Sequence, residues 1–359
     1  MKSKILLLIA IITLNTIPVS AKDTSKSSIV MDLDSGRVLY QNNIHEKRLI
    51  ASTTKIMTAI LAIEELKLNK KITANEEILK MYGTSIYLEI GEQLTVKDLL
   101  YGLLLRSGND AAVVLANNVS ENEQEFVKKM NEKAKEIGMI NSKFSNSHGL
   151  DDSTENYSTA YDMALLSKYA YQDKVYRRIS TTKRYQTKTD KKSYIWYNRN
   201  KLLSDYKYCT GGKNGYTPKA GRTLVTTASK GNMKLTVVTL DDNNEYETHK
   251  YLYDKTFNKY QNYTIIDKNK FKISKEWYGG NLYIKKSFSY PLTEEETKKI
   301  TTEINIKNSP EKDLKVGSIT IKLNNKKIGE VAVYNDNTKK EDITIFNKIK
   351  NYLALWIKT

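Results

Sequence analysis

The 359-residue chain has a single cysteine, Cys209, and only three histidines, His45, His148 and His249. A lone thiol cannot close an intramolecular disulfide, so the fold must rest on its core, and we interpret Cys209 as a buried, unreactive thiol. The histidines are scattered and lack the close ligand spacing of a zinc site. The sequence therefore predicts no metal site, and it contains no signal for a cofactor.

Arginine is also scarce, because only eight of the 58 basic residues are arginine. Arginine is the preferred bidentate reader of phosphate and guanine, and no zinc finger, RNA-binding or glycine-rich nucleotide motif is present. We therefore expect no nucleic acid partner. The net charge is +17, or +15 once Lys2 and Lys4 are subtracted. Most lysines form a solvated surface, but such an excess favours an anionic neighbour, such as a wall polymer or a membrane surface.

Long apolar runs are missing except at the N-terminus. The run from Ile5 to Ile12 follows two lysines and precedes Val19-Ser20-Ala21, a small-residue cleavage site. This order predicts a secretory signal over residues 1–21, and the run is shorter than the about 20 residues that a membrane span needs. An uncleaved anchor is the alternative. The signal predicts an exported protein that acts in the cell wall or at the outer face of the cytoplasmic membrane.

The main chemical signal lies in residues 51–66, where Ser52 and Lys55 open an apolar helical pattern. Residues three apart share a helix face, so the two side chains would lie side by side. A lysine kept out of water can take the proton of a serine hydroxyl, and a helix N-terminus favours developing negative charge. The spacing recurs at Ser180, Ser204 and Ser309, so the motif alone leaves an ordinary helix start as the alternative.

Two further polar motifs are weak when taken singly. Ser107-Gly108-Asn109 separates two apolar helical segments, where a plain helix–helix turn is the alternative. Lys213-Asn214-Gly215 lies in a glycine-rich stretch before two predicted core strands, but Lys-x-Gly is common in a lysine-rich chain. Glycine in a strand often marks the close approach of a ligand or another backbone.

The remaining patterns predict a chain of mixed helix and strand. Hairpins are expected at 27–40 and 224–240, helices at 96–105, 111–116, 121–138 and 158–171, and alternating strands at 177–200. Near residue 262 the pattern changes to short alternating runs with an Asn324-Asn325 turn, which predicts a separate all-β segment. We expect four parts: a signal peptide at 1–21, a catalytic domain at 22–262, a β-rich domain at 263–340 and an amphipathic helix at 341–359.

The last segment carries Phe346, Ile349, Leu353 and Trp356 at three- and four-residue spacing, with lysines beside them. This pattern fits an amphipathic helix that lies on the outer face of the cytoplasmic membrane. A helix docked on the β-rich domain is the alternative.

Taken together, Ser52-Thr53-Thr54-Lys55, Ser107-Gly108-Asn109 and Lys213-Asn214-Gly215 stand in the order of the three motifs of the penicilloyl-serine enzymes. Residues 27–240 resemble one branch, the low-molecular-mass D-alanyl-D-alanine carboxypeptidases, which are penicillin-binding proteins. The resemblance implies an α/β (α+β) catalytic domain of the β-lactamase/transpeptidase type. In that fold an antiparallel sheet is flanked by helices, the site faces a helical lobe, and a small all-β domain follows.

The resemblance also implies a role for each motif residue. Ser52 is the acylated nucleophile, Lys55 its general base, and Ser107 and Asn109 line the facing wall. The backbone N–H groups of Ser52 and Tyr216 form the oxyanion hole. The residues expected to bind substrate are Lys213, Asn214, Gly215, Tyr216, Thr217 and Arg222. One departure concerns Asn214, because the family usually has threonine there to help bind the substrate carboxylate.

The implied activity is removal of the terminal D-alanine from peptidoglycan stem peptides, with β-lactam antibiotics as covalent ligands. Two alternatives remain. A β-lactamase would use the same site, although the extra β-rich domain and tail argue against it. A non-catalytic wall-binding protein with a degenerate site is motivated by Asn214 and by the +15 charge of the chain without its two N-terminal lysines.

Overall fold

The computed structural model describes residues 22–271, 282–306 and 315–335. The predicted signal peptide at 1–21 and the predicted amphipathic helix at 341–359 lie outside these residues. Within the described ranges, none of the helices is both long enough and apolar enough to cross a membrane.

The described residues form both α-helices and β-strands. The strands are β1 (Ser27–Asp32), β2 (Val38–Asn42), β3 (Arg48–Leu49), β4 (Lys71–Thr73), β5 (Gln93–Thr95), β6 (Tyr157–Ser158), β7 (Arg184–Lys188), β8 (Ser193–Tyr197), β9 (Cys209–Thr217), β10 (Gly221–Lys230), β11 (Met233–Leu240), β12 (Gln261–Ile266), β13 (Leu282–Ile284), β14 (Phe288–Leu292), β15 (Ile300–Ile306), β16 (Lys315–Leu323) and β17 (Lys326–Asn335). The helices are α1 (Lys55–Glu65), α2 (Val96–Tyr101), α3 (Asn109–Val119), α4 (Glu123–Glu136), α5 (Ala160–Gln172), α6 (Lys174–Thr181), α7 (Leu202–Asp205), α8 (Glu245–Lys259) and α9 (Glu294–Thr297).

A five-stranded antiparallel sheet with the order β2-β1-β11-β10-β9 forms the centre of the fold. Its inner strands β1, β10 and β11 are largely buried at consecutive residues. Because successive side chains point to opposite sides, both faces of the sheet are covered. On β11, Val237 packs toward Leu252 and Tyr253 of α8. Its neighbour Val238 packs toward the helical side, in the same core as Ile56 of α1. Burial of each such aliphatic side chain stabilises the folded state by about 1.5–3 kcal/mol relative to leaving it exposed to water.

The helices on the other side of the sheet form a lobe around α1, whose residues from Lys55 to Ala62 are all buried. The predicted helices at 111–116, 121–138 and 158–171 are confirmed as α3, α4 and α5. The helix predicted at 96–105 begins as α2 under a capping box of Thr95 and Asp98, but continues as a π-helix over Gly102–Arg106. The active-site wall follows directly from that irregular turn.

The strand prediction for 177–200 is wrong at its start. Residues 174–181 are helical, because Asp173 accepts a hydrogen bond from Tyr176 N at 2.7 Å and caps α6. Tyr176 and Ile179 are three residues apart and both face the core. The strand pattern therefore begins only at Arg184, and the helix α8 was not predicted at all.

The C-terminal part is a small all-β unit with its own core. A four-stranded sheet of order β13-β17-β16-β15 lies with the β12–β14 pair around Ile319, Ile321 and Val333. Asn324 and Asn325 both have positive φ, at 50° and 64°, as a two-residue hairpin turn requires. The predicted hairpin and the predicted fold class are confirmed, whereas the limits at 262/263 and 340/341 stay predictions.

Arg37 joins the two parts of the structure. Its guanidinium donates to both carboxylate oxygens of Glu296, at 3.0 and 2.5 Å, and to Pro291 O at 2.6 Å. It also lies over the rings of Tyr260 and Tyr290, 5.4 and 5.2 Å from their centroids. A bidentate, largely buried ion pair between arginine and glutamate holds its two segments together more firmly than an exposed ion pair does.

Candidate active site

Ser52 lies in a 3-10 turn, Ala51–Thr54, that leads directly into α1. The turn is entered through Ala51, whose φ of 46° is in the left-handed region. Thr53 Oγ1 donates to Ile50 O at 2.6 Å and holds the turn closed. Ser52 is partly exposed while the residues on both sides of it are buried, so its hydroxyl faces the site.

Lys55 is fully buried, and its amine contacts three oxygen atoms. Nζ lies 3.0 Å from Ser52 Oγ, 2.7 Å from Asn109 Oδ1 and 2.5 Å from the backbone oxygen of His148. Burial is the main cause that lowers the pKa of Lys55 well below 10.5, and the charge of Lys213 lowers it further. The predicted pairing of Ser52 with Lys55 is therefore present in the fold.

The wall opposite Ser52 begins where the π-helix ends. Ser107 is the capping residue and has a φ of 68°, and Asn109 starts α3. Asn109 Oδ1 accepts from Lys55 while its Nδ2 donates to Tyr82 O at 2.7 Å. Ser107 is 4% exposed, and its hydroxyl makes no hydrogen bond within the described ranges. Asn109 thus contacts the amine directly, whereas Ser107 does not.

Asp110 ties a loop to this wall. Its carboxylate accepts hydrogen bonds from Ser85 Oγ at 2.5 Å and from the backbone N–H groups of Ile86 and Leu88 at 3.0 Å each. The loop in turn supplies the Tyr82 oxygen that orients the Asn109 amide. Asp110 was not predicted, although it follows Asn109 directly in the sequence.

The edge strand β9 forms the third side of the site. Lys213 on this strand is 1% exposed, and burial, followed by the charge of Arg199, lowers its pKa to about 7. A Cβ atom on Gly215 would lie 2.8 Å from Ser52 N and 2.5 Å from Thr223 Oγ1. Only glycine lets the strand approach the serine this closely.

The other predicted substrate residues lie around the rim. Asn214 follows Lys213 and is partly exposed. Tyr216, two residues further along β9, is 61% exposed. Arg222 lies over the Tyr216 ring at 5.6 Å and 3.6 Å from a carboxylate oxygen of Glu245. Thr217 points elsewhere, because its hydroxyl donates to Asp151 Oδ2 at 2.5 Å.

The loop 146–151 packs against the turn of Ser52 and the amine of Lys55. A Cβ on Gly149 would lie 2.0 Å from Ala51 O, and Gly149 has a φ of 90°, so the backbone of the loop packs directly on the serine turn. Burial lowers the pKa of His148 to about 3, so its ring is neutral and only its backbone oxygen meets Lys55. Asn156 supports the loop, donating to Thr54 Oγ1 at 2.9 Å and to Asn146 O at 3.0 Å.

The site places the hydroxyl of Ser52 beside the buried amine of Lys55, and a second buried lysine, Lys213, lies nearby. A hydroxyl beside a base is the arrangement that nucleophilic acyl transfer requires. Among the described residues, no group of three or more histidine, cysteine, aspartate or glutamate side chains is placed to hold a metal ion.

The family that is described as D-alanyl-D-alanine carboxypeptidase matches residues 15–244, and the C-terminal domain of penicillin-binding protein 5 matches residues 260–341. The chain belongs to the D-alanyl-D-alanine carboxypeptidase family. The resemblance inferred from the three motifs is thereby confirmed, and members of this family are serine-type carboxypeptidases of cell-wall peptides.

Individual relatives agree with this membership. The chain is 34% identical over 356 residues to the D-alanyl-D-alanine carboxypeptidase DacF of Bacillus subtilis, a match that covers 93% of this chain and 90% of the relative. It is 36% identical over 228 residues to DacC of Escherichia coli, covering 60% of this chain and 56% of that protein. The crystal structure of penicillin-binding protein 5 from Haemophilus influenzae superposes with a TM-score of 0.73 and 25% identity, over 88% of this chain and 97% of that one.

We expect Gly149→Ala to damage the site of this carboxypeptidase family member by displacing the serine turn. Gly231→Ala is the matched control, because Gly231 also has a positive φ, 56°, but no atom lies within 4 Å of its added Cβ. The left-handed backbone alone costs about 1–2 kcal/mol, and overpacking adds about 1–3 kcal/mol at Gly149 only. Urea unfolding of both variants measures the difference, and equal losses would contradict the close packing.

Proposed function

We propose that this protein is an exported serine-type carboxypeptidase that removes the terminal D-alanine from peptidoglycan stem peptides through an acyl-enzyme on Ser52. The same serine would bind penicillin covalently. The observation that carries the proposal is the fully buried amine of Lys55, 3.0 Å from Ser52 Oγ. A general base must lie within hydrogen-bond reach of the proton that it removes.

Burial and the nearby charge of Lys213 favour a neutral Lys55 amine. Its two N–H groups can then be donated to Asn109 Oδ1 and His148 O, which only accept. The lone pair then faces the Ser52 hydroxyl. Lys55 removes the hydroxyl proton as Ser52 Oγ bonds to the carbonyl carbon of the penultimate D-alanine. The C–N bond breaks, and the proton passes to the departing amine of the terminal D-alanine.

Developing charge on the carbonyl oxygen is stabilised by the backbone N–H groups of Ser52 and Tyr216. Their proximity is supported by the contact that Gly215 permits between β9 and Ser52 N. The terminal carboxylate of the substrate is attracted by Lys213 and contacted by Asn214, whose amide N–H groups can donate to a carboxylate. Gly215 and Tyr216 form the strand edge beside the peptide, and Arg222 lies at the rim. Thr217 contributes to substrate binding only indirectly, because its hydroxyl donates to Asp151.

A water molecule then attacks the acyl carbon, and the amine of Lys55 takes its proton. The bond between the acyl carbon and Ser52 Oγ breaks, and Lys55 returns the proton to Ser52 Oγ. Ser107 relays protons across the site toward Ser52, and Asn109 holds the amide of the substrate. Release of the shortened peptide returns Ser52 to its starting state. All five residues, Ser52, Lys55, Ser107, Asn109 and Lys213, are assigned here as catalytic, and no cofactor takes part.

Export is proposed on the pattern of residues 1–21, and attachment to the outer face of the membrane on that of residues 341–359. The catalytic domain would then span 22–262 and the β-rich domain 263–340. The positive charge of the chain suits the polyanionic surroundings of a cell wall.

The acylated serine is tested by the intact mass of the protein without residues 1–21 after exposure to benzylpenicillin. We expect the mass of one penicilloyl group to be added, and no addition in Ser52→Ala, because that variant lacks the attacking oxygen. The variant should also lose hydrolysis of a D-alanyl-D-alanine peptide. Peptide hydrolysis that persists in Ser52→Ala would exclude this nucleophile. An adduct that disappears within seconds as drug is consumed would instead identify a β-lactamase.

The role of Lys213 predicts a particular dependence of kcat/KM on pH. Because its lowered pKa is about 7, Lys213 is charged below pH 7 and neutral above it, so substrate capture should fall as the pH rises through 7. Arginine stays charged, so Lys213→Arg should move this alkaline limb to higher pH. Lys207→Arg, at an exposed lysine, is the control. An alkaline limb at the same pH in Lys213→Arg would remove Lys213 from carboxylate binding.

A further inference from the structure

A groove of about 420 Å³ lies between the β7–β8 hairpin and the loop that Asp110 holds. Its lining includes Ser85, Tyr87, Arg106, Lys192, Ile195 and Tyr197, and we call it the hairpin groove. The two sides are fastened together, because Lys192 Nζ donates to Tyr87 O at 2.5 Å and Lys191 Nζ donates to Ile90 O at 2.6 Å. The groove is therefore a fixed feature of the folded protein.

The hairpin groove contains two cationic side chains, of which one is already paired. Arg106 and Lys192 line it, and none of its lining residues is acidic. Lys192 is already paired, with Glu89 Oε1 at 2.9 Å. Arg106 is partly exposed and has neither an ion pair nor a side-chain hydrogen bond in the described part of the chain. An unpaired guanidinium in a groove is a forked donor suited to a carboxylate.

Three large side chains with apolar surface border the groove and are exposed. Tyr87 is 65% exposed, Tyr197 is 64% exposed and Ile195 is 48% exposed, and all three border the same space. On β8 the buried residues Tyr194 and Trp196 alternate with Ile195 and Tyr197, so the exposed pair lies on one face of the hairpin. Exposed apolar side chains that cluster around a polar group indicate a binding site more than an ordinary surface.

The groove is built on the wall of the active site. Arg106 directly precedes Ser107, and Ser85 donates to Asp110, which directly follows Asn109. When a peptide is attached to Ser52 through its carboxyl end, the rest of the peptide, toward its N-terminus, must extend out of the site. A stem peptide carries a free carboxylate there when its glutamate is linked through the side chain. The unpaired cation, the exposed side chains of Tyr87, Ile195 and Tyr197, and the attachment of the groove to the segment of Ser107 and Asn109 suit this upstream part of the substrate.

We propose that the hairpin groove binds the carboxylate-bearing, amino-terminal part of the stem peptide, with Arg106 as the contact to the carboxylate. Arg106 is then a specificity residue that distinguishes peptides with a free upstream carboxylate from peptides in which it is amidated. This inference rests on the proposed carboxypeptidase function, and it adds a second recognition point beyond the D-alanyl-D-alanine end.

The test compares two substrates of nearly equal size, L-Ala-γ-D-Glu-L-Lys-D-Ala-D-Ala and its D-isoglutamine analogue. The protein should prefer the first by about tenfold in kcat/KM, mainly through KM, as expected for one charge-assisted contact. Arg106→Gln should lose this preference by slowing only on the glutamate peptide, and Arg106→Lys should retain part of it. Arg178→Gln is the control, because it removes one exposed arginine on α6, outside the groove.

An unchanged preference in Arg106→Gln, or an equal loss on both peptides, would overturn the proposal while leaving the carboxypeptidase activity established. If the protein hydrolyses neither peptide, the proposed function fails, and calorimetry with the tripeptide L-Ala-γ-D-Glu-L-Lys still decides the question. Binding that is about tenfold weaker in Arg106→Gln supports the groove. Equal affinity, or no binding to the unmodified protein, excludes it.

Discussion

Burial of the Lys55 amine is the constraint on which the rest of the site depends. A charged ammonium held away from water is costly, so a buried lysine is driven toward its neutral form. The amine is held by oxygens from three separate segments: the turn of Ser52, the start of α3 at Asn109, and the loop at His148. The neutral amine that a general base requires is thus produced by the packing of these three segments around Lys55.

Strained backbone accompanies this site. Of the seven described non-glycine residues with positive φ, Ala51 adjoins a motif of the site and Ser107 belongs to one. Such residues cost about 1–3 kcal/mol each and persist only where the surrounding structure requires them. Gly149 and Gly215 complete the arrangement from opposite sides, because each brings a backbone against the serine turn where a Cβ atom would collide.

Local patterns predicted the elements that local chemistry determines. The apolar spacing after Lys55 identified α1, the Asn324-Asn325 pair identified its turn, and the helix expected from residue 96 begins there as α2. The pairing of Ser52 with Lys55 was predictable for the same reason, because the two residues are only three apart, across the junction of the 3-10 turn and α1.

Contacts between residues that are far apart in the sequence could not be predicted from local patterns. Lys55 and Asn109 are 54 residues apart, and only the resemblance placed them in one site. Arg199, which lowers the pKa of Lys213, stands in no motif. Residues 177–181 were assigned to the strand pattern that follows them, whereas the cap at Asp173 decides in favour of a helix.

The central claim, that folding makes Lys55 neutral, is tested most directly by its own titration. Nuclear magnetic resonance of lysine labelled with ¹³C at Cε, with the Lys55 signal assigned from Lys55→Arg, measures its pKa in the folded protein. The account predicts a titration well below 10.5 in the native protein and a return toward 10.5 on unfolding. A native Lys55 that stays charged until near 10.5 would contradict it.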